Sequence, residues 1–222
     1  MITSELLKFL TKLEKNNNRE WFENHKNEFR KHQSTFKNFN EELLDEMKKH
    51  DEIEGLKVFR IYRDVRFSKN KTPYKSHLAA SFKRIKPKLR GGYYLQIKPK
   101  ESFIATGFWD PVKEDLLRIR KELEIDAKDF NEIIKDNSFV NIWGPLEGDE
   151  VKTAPKGFSK THPNIELIRK KQFIFSRKFT DAQVCSPDFL EQVNHSFKGV
   201  RPFFDYMTEV LTTDLNGVSL LD

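Results

Sequence analysis

The chain has 222 residues, 37% hydrophobic and 33% charged, with 20 phenylalanines and a formal net charge of +6 at pH 7. That length suffices for a buried core, and no apolar run approaches the ~20 residues a membrane-spanning helix needs. The single cysteine, Cys185, excludes an internal disulfide and fits a reducing compartment, and the first residues lack the basic start and apolar stretch of a signal peptide, so a cytoplasmic location is expected.

Leu6, Leu7, Phe9, Leu10 and Leu13 recur at helical spacing after Ser4, the expected N-cap. Asn16-Asn17-Asn18 breaks that helix, and Asn18 is placed to cap the next. From Arg19 to His50, Phe22, Phe29, Phe36, Phe39, Leu43 and Met47 form one apolar stripe, which predicts one long helix packed on a sheet. After Gly55 the period changes. Val58–Tyr62, His77–Phe82, Tyr93–Ile97 and Ser102–Thr106 read as strands, the last two joined as a hairpin through Pro99-Lys100-Glu101. Asp110-Pro111 is expected to open a helix with Val112, Leu116, Ile119 and Leu123 inward. A short helix follows Asp126, with Phe130, Ile133 and Ile134 inward. The stretch from Phe139 to Pro163 is rich in Gly and Pro, with a short hairpin expected around Gly148-Asp149. Phe173-Ile174-Phe175 with Phe179 reads as the last strand. A C-terminal helix begins at Ser186-Pro187, and Pro202 should divide it.

Because helices do not separate the strands one by one, a doubly wound parallel sheet is not expected. The expected fold class is α+β, an antiparallel-rich mixed sheet covered by helices, with long N-terminal and C-terminal helices. No linker or repeat divides the chain, so residues 1–222 are read as a single domain.

Charge is segregated. Lys57 to Arg90 holds twelve basic residues and one acid, Asp64, so the rest of the chain is net acidic. Arg60, Arg63 and Arg66 recur every third residue. On a regular strand they would alternate faces; on a polyproline-type segment they would share an edge. Ser68 to Asn70 is turn-like, so Lys69, Lys71 and Lys75 belong to a loop after a strand. Arginine suits bidentate recognition of phosphate or carboxylate, and lysine adds mobile charge. These six are the candidate anion-binding residues, with Asp64 placed to orient one guanidinium. A charge run is also the ordinary composition of a solvated face. Lys156, Lys160, Arg169 and Lys171, after the Gly/Pro stretch, form a second basic group; the two groups would line one groove or stand as separate surfaces.

The string FRIYRDVRFSKNKTPYKSH, Phe59 to His77, resembles the signature of a family of uncharacterised bacterial and fungal proteins catalogued as domain of unknown function 2461. NNREWF at Asn17 to Phe22, GGYYLQIKP at Gly91 to Pro99, and APKGFSKTHP at Ala154 to Pro163, running on into LIRKKQFIFSRKF, are similar to that family as well. The resemblance implies a single α+β domain of this size. It implies no activity and carries over no catalytic residue.

No Gly-rich phosphate loop, dinucleotide fingerprint or nucleophile elbow is present, and the six histidines lack zinc-ligand spacing. No metal site and no cofactor are predicted. The expected partner is a small anionic ligand, a phosphorylated one included, held at the basic loop by a binding protein or enzyme. Tyr74 and His77 are then the candidates for proton transfer. The alternatives are a nucleic acid, which the pI near 9.2 and interleaved aromatics favour, and an acidic protein partner. No membrane partner is expected.

Overall fold

The computed structural model describes residues 1–221. In chain order the elements are α1 (Ser4–Lys15), α2 (Arg19–Asn24), α3 (Lys26–Met47), β1 (Ile53–Val58), β2 (Leu78–Arg84), β3 (Gly92–Ile97), β4 (Ser102–Phe108), α4 (Lys113–Ile125), α5 (Lys128–Lys135), α6 (Asn137–Trp143), α7 (Ile165–Ile168), β5 (Phe173–Phe179), α8 (Asp181–Val184), α9 (Phe189–Gly199) and α10 (Arg201–Thr212). The strands form one antiparallel sheet in the order β1-β2-β3-β4-β5, so neighbours in sequence are neighbours in space. The fold class is α+β, as the sequence indicates.

The chain packs as two compact units. The first comprises Met1–Phe82, Tyr94–Ile104 and Lys178–His195; the second comprises Lys83–Tyr93, Ala105–Arg177 and the segment from Ser196 onward.

In the first unit α1 buries Leu6, Leu7, Phe9, Leu10 and Leu13. Its cap is Thr3, one residue before the expected Ser4, whose hydroxyl accepts from the Leu6 amide. The long helix expected from Arg19 to His50 is two helices. Asn18 caps α2 through the Trp21 amide at 2.9 Å. His25 then leaves helical geometry, with φ −112° and ψ 11°, its Nδ1 2.7 Å from the Trp21 carbonyl and its ring stacked on the Trp21 indole. An apolar stripe runs through such a break unchanged, which is why periodicity alone missed it. α3 packs along β1 and buries Phe29, Phe36, Phe39, Leu43 and Met47. Each fully buried Phe contributes roughly 2–3 kcal/mol through the area withdrawn from water.

The second unit has an aromatic core. Phe175 meets Phe203 edge-on at 5.1 Å and Phe139 at 4.9 Å, while Tyr93 packs on Phe197 and Phe204. α9 and α10 divide at Val200, and Pro202 stands in the first turn of α10, where its missing N–H costs nothing. α4 begins at Lys113 rather than at Asp110-Pro111. Of its four expected inward residues only Ile119 and Leu123 are buried, and Val112 is exposed. The Gly/Pro stretch hides α6, which Asp136 caps through the Ser138 and Phe139 amides. No local hairpin forms at Gly148-Asp149; Glu147 bridges to Ile174 and Glu150 to Lys170 instead.

Candidate anion-binding site

β1 ends at Val58, where the sequence reading had the strand begin. After Ile61, at a bend, the chain closes a loop whose base is the antiparallel bridge Tyr62–Tyr74. Backbone bonds Arg63 N to Pro73 O (2.9 Å) and Lys75 N to Ile61 O (2.8 Å) fix that base. Asn17 reinforces it by donating from Nδ2 to the Tyr74 carbonyl at 2.9 Å and accepting the Tyr74 amide at 3.1 Å.

The three arginines separate. The Arg63 guanidinium turns into the loop and donates to the Thr72 carbonyl (3.3 Å), the Thr72 hydroxyl and Ser68 Oγ (3.4 Å). Arg66 pairs with Asp64, at 3.0 Å from Nε and 2.6 Å from Nη2. This holds the Asp64 carboxyl below its ordinary pKa, the Arg66 side chain being the largest cause. Lys71 donates to the carbonyls of Val65 (3.0 Å) and Arg66 (3.4 Å). Arg63 and Lys71 thus brace the loop, the Arg66–Asp64 pair is exposed on it, and so is Lys69.

Arg60 does something different. It lines two adjoining depressions with α3. One, of about 400 Å³ and open to solvent, is bounded by Arg30, Gln33, Ser34, Lys37, Val58, Phe59 and Arg60. The other, of about 200 Å³, is bounded by Phe22, Lys26, Phe29, Arg30, Gln33, Arg60, Ile61 and Tyr62. Arg30, Gln33 and Arg60 belong to both, so the two form one groove with an apolar floor. Among the described residues neither the Arg30 nor the Arg60 guanidinium has a hydrogen bond or ion pair. Lys26 pairs with Glu23 at 2.9 Å and Lys37 with Glu41 at 3.3 Å, both near the surface.

Beside this groove, Lys57 Nζ and Lys75 Nζ stand 5.2 and 5.4 Å from the centre of the Phe59 ring. Burial first, then the charges of Arg60 and Lys57, hold the Lys75 ammonium below its ordinary pKa. The part of that shift due to Arg60 and Lys57 reflects a positive field, which attracts an anion.

The two proton-transfer candidates are not joined by a hydrogen bond. Tyr74 is 4% exposed and stacked on Phe22, and burial raises its phenol. His77 is half-buried; burial, then Lys75 and Lys98, push its imidazole down to about 4. At neutral pH His77 is therefore uncharged and a weak proton acceptor. Burial, followed by Asp181 and Glu5, raises the Cys185 thiol, the reverse of what a nucleophilic thiolate requires.

The basic segment divides between the units: residues through Lys75 belong to the first, and Lys83 to Arg90 to the second. There Arg84 is 1% exposed, lies 4.8 Å over the Phe204 ring and donates to the Arg90 carbonyl at 2.7 Å. Arg90 in turn pairs with Asp115. The second basic group also lies in the second unit. Arg169 bonds the Val151 carbonyl at 2.9 Å and Glu150 at 2.7 Å, and Lys171 faces Asp149 at 3.7 Å. Lys156 and Lys160 are exposed. Among the described residues no group of three or more His, Cys, Asp and Glu side chains is arranged to hold a metal, and no helix is long and apolar enough to cross a membrane.

Sequence reasoning found Arg60 and Lys75 but missed Arg30, Gln33 and Lys37. The signal was available: Lys26, Arg30, Gln33 and Lys37 recur at steps of four, three and four, one polar face of α3 flanking its phenylalanine stripe.

The family model described as a conserved hypothetical protein (DUF2461) matches residues 5–206. The chain belongs to that family. No curated protein and no solved structure matches it.

Proposed function

We propose that this protein binds an anionic, phosphate-bearing small ligand in the groove between α3 and the Val58–Tyr62 segment. The observation that carries the reading is that Arg30 and Arg60 face the same groove with guanidiniums committed to no other side chain. Planar guanidiniums donate in pairs to phosphate oxygens, and the apolar floor of Phe22, Phe29 and Phe59 lowers the local dielectric and strengthens those bonds. Lys57 and Lys75 add positive potential. The role is binding; nothing in the arrangement assigns a bond-breaking step.

The test is thermal denaturation with pyrophosphate, mononucleotides and acidic metabolites, repeated on Arg30→Ala and Arg60→Ala. Ligand at about 100 times its dissociation constant adds roughly 2.7 kcal/mol, a rise in Tm of about 5–10 °C at this chain length. Each substitution should weaken binding about ten-fold or more, since hydrogen bonds to charged groups contribute about 1.5–3 kcal/mol. A doubly substituted protein that folds normally and binds pyrophosphate like the wild type would refute the reading.

A further inference from the structure

The Arg63–Thr72 loop presents Phe67 with 98% of its surface in water. A lone exposed apolar side chain is ordinary; this one stands on a loop braced from within by Arg63 and Lys71, so its position is built. Tyr62, at the base of the loop, is 46% exposed and lines the groove. Tyr62 and Phe67 stand five positions apart in sequence. At no more than about 3.6 Å per residue, Phe67 stays within roughly 18 Å of Tyr62. Cations flank both aromatics along this stretch: Arg60, Tyr62, Arg63, Arg66, Phe67, Lys69.

We infer that the groove and loop together hold a single-stranded nucleic acid, with phosphates along Arg30 and Arg60 and bases stacked on Tyr62 and Phe67. This rests on the groove being an anion site and extends its ligand from a small phosphate-bearing molecule to a phosphodiester strand. A cationic channel flanked by exposed aromatic faces suits a single strand, because every base has a face to stack and the backbone follows the charge. Stacked nucleotides advance about 3.4 Å each along a strand, so a short oligonucleotide spans groove and loop tip, which a mononucleotide does not. A duplex keeps its bases paired and offers neither ring a partner. An anionic membrane suits the site less well: the tip carries one large apolar side chain, the Arg66 beside it is paired with Asp64, and a flat bilayer leaves the groove unfilled.

The experiment is fluorescence anisotropy of the full chain with a labelled oligothymidylate of about twelve nucleotides and with a duplex, at about 50 and 200 mM salt, beside pyrophosphate titration and sedimentation with phosphatidylserine vesicles. Phe67→Ala removes a side chain that packs on nothing, so folding should be unchanged. The expected result is salt-sensitive binding of the single strand over the duplex. Phe67→Ala should weaken it about ten-fold while Phe67→Trp retains it, and pyrophosphate binding should be the same in all three proteins. If Phe67→Ala binds the strand like the wild type while pyrophosphate still requires Arg30 and Arg60, the nucleic-acid inference fails and the anion site stands. Indifference of pyrophosphate to Arg30→Ala and Arg60→Ala overturns both. Vesicle binding lost in Phe67→Ala, with no oligonucleotide binding, would assign the loop to membranes and overturn the inference.

Discussion

The ring of Tyr74 lies nearly flat on that of Phe22, with 4.0 Å between centroids and 19° between planes. Asn17, just before α2, exchanges two hydrogen bonds with the Tyr74 backbone, as a paired strand residue would. The base of the basic loop is therefore anchored to the N-terminal helices by an aromatic stack and an amide clasp. Tyr74→Ala should cost about 3–5 kcal/mol, as expected for a buried aromatic. Tyr74→Phe should change stability by less than about 1.5 kcal/mol and leave anion binding intact, because the phenol is not part of the groove. Urea midpoints compared with pyrophosphate affinity decide this; loss of ligand binding in Tyr74→Phe at unchanged stability would return the hydroxyl to the site.

Gly91 has φ +88°, and a Cβ there would come within 2.3 Å of the Phe204 ring. Phe204 also carries Arg84 over its face. Gly91→Ala combines backbone strain with overpacking and should destabilise by about 2–4 kcal/mol. Phe204→Leu in the same chain should recover part of that loss by making room. A single variant as stable as the wild type in thermal melts would show that the ring can yield.

His77 gives a pH dependence of defined sign. Its imidazole titrates near pH 6.5 when unperturbed and at about 4 in the folded chain. Between those values the unfolded chain binds the proton and the folded chain does not, so stability falls as pH drops from about 6.5 towards 4 and is unaffected by this group above 6.5. His77→Gln should flatten that part of the acid limb. Urea midpoints at several pH values from about 7 down to 4.5 make the comparison; identical slopes in both proteins would count against a depressed His77.

Arg63 and Arg66 are expected to behave differently despite their shared spacing. Arg63→Ala removes the bonds to Thr72 and Ser68 and should open the loop, giving faster proteolysis between Asp64 and Lys71 with a global loss near 1 kcal/mol. Arg66→Ala removes an exposed pair with Asp64 and should leave stability almost unchanged. Limited trypsin digestion of the two variants, followed by mass spectrometry, separates these outcomes. Equal cleavage rates would contradict the bracing role of Arg63.

The order of helices and strands was legible in the sequence because burial imposes its own period: Leu6 to Leu13 could only be helical, and Tyr93 to Ile97 alternates as a strand must. The misplaced β1 shows where that signal fails. Val58 to Tyr62 alternates equally well, but Phe59 and Ile61 bond only singly, to Ala79 and Lys75, while the weakly patterned Ile53–Val58 forms the ladder. The same holds at the site. Arg60, Arg63 and Arg66 are chemically equivalent in sequence; what separates them is that Thr72, Ser68 and Asp64 fold back within reach of two of them and leave Arg60 to the groove. For Arg63 that depends on loop closure, which nothing local encodes, whereas the Asp64–Arg66 pair spans two positions and was legible in the sequence. Arg30 became visible only once α3 was laid along β1, although the polar face bearing it was already written at helical spacing.

An amine whose charged form is disfavoured, first by burial and then by its cationic neighbours, is also a chemically distinct one. Lys75, crowded by Lys57 and Arg60 over the Phe59 ring, should acylate faster than the solvated lysines around it, since only the free amine attacks an acyl donor. An anion settling nearby would favour the ammonium form and slow that reaction. The chain thus carries a built-in footprinting reporter, readable by mass spectrometry without any engineered label, for whether the groove is occupied.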